Sequence, residues 1–109
     1  MDIADWRTKI DEIDSKLVEL LSQRAHAAHE IGKLKSVAGM PIYEPDRERW
    51  VFTNVKKLNE GPLSNRDLLR IYERIIDVMR QIQREEIGPA QTEGASGSGE
   101  TELETETND

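Results

Sequence analysis

The side chains most able to do chemistry here are cations set into a helical apolar pattern. Apolar residues recur at Ile3, Trp6, Ile10, Ile13, Leu17, Leu20, Ala27, Ile31 and Leu34. That 3-4 spacing predicts one helix from residue 3 to about residue 37. Written as heptads with Ile3 at position a, the a positions are Ile3, Ile10, Leu17, Arg24 and Ile31. An arginine therefore stands where the seam expects a large apolar residue, and a charge so placed needs a partner. Lys35 follows eleven residues later, about three helical turns, so it shares a face with Arg24 roughly 16 Å along the axis. Two long cationic side chains so spaced can converge on a small anion. Arg7 precedes Arg24 by seventeen residues, roughly 25 Å of helix. It cannot serve the same small site from the same chain; if it serves an equivalent one, it does so from an antiparallel partner.

Two further groups join these cations. In "IYEPDRER", Glu44 and Glu48 are four apart with Arg47 between them, and a helix starting at Glu44 would put both carboxylates on one face. Further on, Tyr72, Ile76, Met79 and Gln83 are spaced 4, 3, 4, which sets an amide on an apolar face. Singly, each feature has a plainer account. Arg24 would be a register device paired with an acid such as Asp14 or Glu30 of a neighbouring helix, Arg7 and Lys35 solvated flanks, Glu44, Arg47 and Glu48 a surface ion-pair cluster, and Gln83 a residue near a helix end. Together they describe one pocket of cations, carboxylate and amide among apolar helices. His26 and His29 lack an evident third ligand and read as solvated helix residues, so no metal site is expected. Phosphate-loop and Ser-His-Asp patterns are absent from the sequence.

The elements that must position these groups are three helices. Gly39 suits the end of the first helix and Pro41 forbids its continuation. The second is expected to start at Pro45, to carry Trp50, Val51, Val55 and Leu58, and to stop before Gly61-Pro62. The third should follow Ser64, with Asp67 three residues on as a capping-box variant, and end before Gly88-Pro89. No stretch alternates like a strand, so the expected fold class is all-α. A helix of about 35 residues spans roughly 52 Å. A compact domain of about 87 residues is only roughly 30 Å across. The apolar stripe would be left bare, so we expect an intertwined homodimer with three helices per chain, a partner running alongside the first helix.

The net charge of −7 is unevenly spread. The stretch 88–109 holds six acids and no Lys or Arg, and is rich in Gly, Ser, Thr and Glu; it reads as a disordered acidic tail. Taking its six from the 22 acids of the chain leaves 16 against 15 bases over residues 1–87, read as the folded domain. That near-neutral balance argues against a nucleic-acid footprint. No apolar run approaches a membrane span and no signal-peptide pattern opens the chain. Cysteine is absent, which excludes disulfides, a thiol nucleophile and thiolate ligation. A cytoplasmic protein is the expectation.

The pattern "R..ID.ID..L..LL..R......IGK.K", then "P...PDRER", then a last helix with a late glutamine, resembles the all-helical chorismate mutases from Arg7 through Gln83. The resemblance implies a domain-swapped helical dimer with two sites, each built from both chains. It also implies conversion of chorismate to prephenate, on the route to phenylalanine and tyrosine, without cofactor or metal. By the same resemblance Arg24, and Arg7 from the partner, would bind the two substrate carboxylates. Lys35 would hold a carboxylate and reach the ether oxygen, to which Gln83 would donate a second hydrogen bond. Glu48 would accept from the ring hydroxyl, with Glu44 beside it and Arg47 in support. One position departs: familiar members have serine where this chain has Met79, which bears on one carboxylate contact and on affinity, not on reaction class. These residues leave no room for a second catalytic domain, so the expectation is a monofunctional enzyme, a piece of a longer fusion, or a mutase acting with a pathway enzyme. The competing reading is a helical dimerisation module without turnover.

Overall fold

The computed structural model describes residues 1–87, with side chains described as far as Glu85; the acidic stretch read as a tail lies outside the described residues. Three helices follow one another: α1 (Ile3–Ala38), α2 (Pro45–Leu58) and α3 (Asn65–Ile87). Among the described residues there is no strand, and no helix is long and apolar enough to cross a membrane.

Local chemistry sets the ends. Asp2 caps α1, accepting from the Asp5 amide, while Asp5 accepts from the Asp2 amide at 3.1 Å. This reciprocal box satisfies two amide groups that no helical carbonyl can reach. Gly39 closes the other end at φ +69°, a left-handed conformation that glycine adopts without a Cβ clash. Pro45 opens α2, so Glu44 is its N-cap and not a helical residue. The expected shared face for Glu44 and Glu48 therefore does not arise as a helix repeat. At α3 the Ser64 hydroxyl accepts from the Asp67 amide at 3.1 Å.

α3 is the central element, packed on α1 along one side and on α2 along the other. Val51, Val55 and Ile76 form the buried cluster between α2 and α3, with Phe52, Leu68, Leu69 and Tyr72 packed against it. Full burial of such side chains contributes about 1.5–3 kcal/mol each. The contact with α1 is of another kind. Its buried residues are Ala28, Gly32 and Lys35, two small residues followed by a charge. Small side chains let two backbones approach closely, and here they bring the charge within reach of α3.

Among the described residues, the first half of α1 is exposed along its whole length. Ile3, Trp6, Ile10, Ile13, Leu17 and Leu20 are each at least 50% exposed. The long axis of the molecule measures 54 Å, the length of this helix.

Candidate active site

The groups singled out by type and spacing converge, with one exception. A cavity of about 490 Å³ lies where α1, α2, α3 and the α1–α2 loop meet. Arg24 and Lys35 come from α1, Glu44 from the loop, Arg47 and Glu48 from α2, and Gln83 from α3. Ala28, Ile31, Ile42, Val51, Ile76 and Met79 supply apolar wall. Arg7 does not line it and lies exposed far down α1.

Lys35 is the most constrained of these groups. It is 5% exposed, and burying an ammonium is costly unless its donors are met. All three are. Nζ donates to the Ile42 carbonyl at 2.9 Å and to Gln83 Oε1 at 2.9 Å, and lies 2.9 Å from Glu44 Oε1. An ammonium has no acceptor, so Gln83 must turn its oxygen to Lys35, which leaves its amide N–H groups to donate elsewhere.

The plainer account of Glu44, Arg47 and Glu48 as one surface ion-pair cluster does not hold. Each has its own partner. Glu44 reaches Lys35. Arg47 stacks on the Trp50 ring, its guanidinium carbon 4.8 Å from the centroid, which explains why Trp50 sits outside the α2 core despite its apolar type. Glu48 is gripped by Arg80, with Nε 2.9 Å from Oε2 and Nη2 3.0 Å from Oε1.

Arg80 is the residue that sequence reasoning missed. Besides Glu48 it holds Asp77 at 3.4 Å and lies over the Tyr43 ring at 5.3 Å. The hydrogen bond to Glu48, with its charge, raises the Arg80 pKa above the ordinary guanidinium range, while burial opposes this. A weak signal was present: Arg80 stands four residues after Ile76 and three before Gln83, on the stripe that carries the pocket wall.

Charge completes the description. Four cations line the cavity, Arg24, Lys35, Arg47 and Arg80, against two carboxylates, Glu44 and Glu48. Lys35 and Arg80 are each paired with one of the carboxylates. Arg24 and Arg47 form no ion pair within 4.0 Å among the described residues, so Arg24 does not pair with Asp14 or Glu30 in this chain. A surplus of two positive charges faces the cavity of a chain whose net charge is −7. No group of three His, Cys, Asp or Glu able to hold a metal occurs among the described residues, and His26 and His29 fall outside the cavity.

Among the described residues the chain is all-helical, with a cavity lined by four cations and two carboxylates. Comparison with known families sharpens this. Residues 6–84 match the model of the type II chorismate mutases. A chorismate mutase of Methanocaldococcus jannaschii is 30% identical over 84 residues, covering 76% of this chain and 85% of that protein. A bifunctional chorismate mutase/prephenate dehydratase of Stutzerimonas stutzeri is 36% identical over 76 residues, 64% of this chain; the chain spans only 20% of that relative's length. The solved structure of a Thermus thermophilus chorismate mutase (form II) superposes with a TM-score of 0.74 at 26% identity, over 75% of this chain and 93% of that one. The chain belongs to the type II chorismate mutase family.

Proposed function

We propose that this chain is a chorismate mutase, rearranging chorismate to prephenate within the cavity bounded by Arg24, Lys35, Arg47, Glu48 and Gln83. One observation carries the reading above family membership. A two-charge cationic surplus lies beside a buried ammonium and an amide whose oxygen is already committed.

The substrate is a dianion, and it must fold back on itself before it can react. Arg24 takes one carboxylate, guanidinium matching carboxylate in two parallel bonds. Holding the reactive fold converts an improbable conformation into the bound one, which is where positioning lowers the barrier. In the rearrangement the ether C–O bond breaks as a new C–C bond forms in the same molecule. No atom leaves and no nucleophile is needed. Negative charge develops on the ether oxygen, and the buried Lys35 ammonium and the Gln83 amide meet it. Donors fixed before the reaction stabilise that charge more than they stabilise the substrate. Lys35 has no spare N–H, so it exchanges its bond to Glu44, the half-exposed partner, for one to the substrate. Glu48, steadied by Arg80, accepts from the ring hydroxyl. Met79 closes the wall with an apolar thioether and supplies no donor of its own.

The second carboxylate is assigned to Arg7 of the partner subunit, in an antiparallel, domain-swapped homodimer. The uncovered apolar seam from Ile3 to Leu20 supports this reading, because a monomer would leave the seven large apolar side chains of this stretch in water.

The test is loss of chorismate absorbance by the purified chain, with prephenate identified as product and no metal or cofactor added. Turnover far above the uncatalysed rate is expected. A folded dimer without turnover would support the dimerisation-module reading instead.

A further inference from the structure

We propose that Gly32 is a positioning residue for Gln83, setting the spacing of α1 and α3 where the glutamine meets Lys35. The inference rests on the mutase reading and adds to it a residue that touches no substrate.

Gly32 is buried in the interior of α1, a place where alanine is the better helix former. Its neighbours explain the choice. A Cβ at this position would stand 2.9 Å from Gln83 Cα, 3.1 Å from the Gln83 carbonyl oxygen and 3.3 Å from Gln83 Cβ. The first two atoms are backbone, so no rotamer change relieves the contact. The helices themselves would have to part until the nearest distance reached an ordinary 3.4 Å or more.

The displaced residue is the one that must not move. Gly32 lies three positions before Lys35, on the same face of α1. The Lys35 ammonium sits 2.9 Å from Gln83 Oε1. A shift of the same size takes that bond to the edge of hydrogen-bond range. It also moves the amide N–H groups off the position where ether-oxygen charge develops. The buried cluster of Val51, Val55 and Ile76 joins α2 to α3 and does not include Gly32 or Gln83.

The experiment is a double-mutant cycle on the full chain, with Gly32→Ala, Gln83→Ala and the two combined, assayed for chorismate turnover. Gly32→Ala should lower kcat about 10-fold or more while KM changes less than about 3-fold, with helical circular dichroism retained. On the Gln83→Ala background the same change should cost less than about 2-fold, because the group it displaces is already gone. Equal losses on both backgrounds would overturn the proposal, as would full activity of Gly32→Ala. A Gly32→Ala chain that does not fold also overturns it, since the glycine would then serve the fold. A wild-type chain without turnover indicts the mutase reading, and a substrate-free readout then decides this one. The Gln83 side-chain amide resonances should move when Lys35 is replaced by Met, and Gly32→Ala should move them likewise. Unmoved resonances in Gly32→Ala would contradict the proposal.

Discussion

The two halves of α1 share one apolar spacing and have opposite surroundings. From Ala28 to Lys35 the helix is packed against α3 through small residues, and the charge it carries is fully bonded. From Ile3 to Leu20 the larger and more regular apolar side chains lie open. Strength of pattern therefore does not locate the chain's own core. The weaker half lines a cavity inside one chain, and the stronger half lies uncovered among the described residues. In the proposed dimer the partner covers it, and the exposed half delivers Arg7 to that partner.

Substitutions that touch the cavity should strike chemistry and spare assembly. Lys35→Met should have the largest effect, about 10³-fold in kcat, because it removes the charge proposed to meet the ether oxygen. Activity near wild type would break the assignment. Arg24→Leu comes next, with a loss of about 10² in kcat/KM and stability unchanged or raised, since replacing a seam cation by an apolar residue is often neutral or stabilising. It also separates the two readings of the chain: a dimerisation module would show the stability result with no activity to lose. Arg80→Met should cost about 1–2 kcal/mol in denaturant unfolding, from the loss of a bidentate, charge-assisted pair. It should lower activity about 10-fold, by freeing Glu48 to rotate.

The smallest effect is expected at Glu30, on the outer face of the packed half. A hydrogen bond from Lys33, and then its charge, hold the Glu30 carboxyl below the usual carboxylate range. A carboxyl lowered in the folded state contributes stability above its unfolded pKa and loses it as pH falls through the folded value. Thermal midpoints of wild type and Glu30→Gln should therefore differ slightly at neutral pH and converge in acid. A gap that widened in acid would contradict this.

What could be read from the sequence divides along similar lines. Helix ends were legible because Gly39, Pro45 and Ser64 act through local geometry. Arg24, Lys35 and Gln83 were legible because each breaks or continues a period. Arg80 and its grip on Glu48 join residues 32 apart, and no local spacing announces such a pair. The same holds for the Ile42 carbonyl on Lys35 and for the closeness of Gly32 to Gln83. These depend on how α3 docks, which periodicity does not set. Trp50 was expected on the apolar stripe of α2, and its ring instead lies under the Arg47 guanidinium.

The most direct test of a site completed across two chains is a mixing experiment. Arg7→Ala and Lys35→Met chains are each expected to be nearly inactive. Unfolded together and refolded as a mixture, they should form heterodimers in which one site regains both Lys35 and Arg7. About a quarter of all sites would then be intact if chains pair at random in dimers. Recovery of chorismate turnover toward a quarter of the wild-type rate is the predicted result. A mixture no more active than its two components, from chains that refold and associate, would contradict the account.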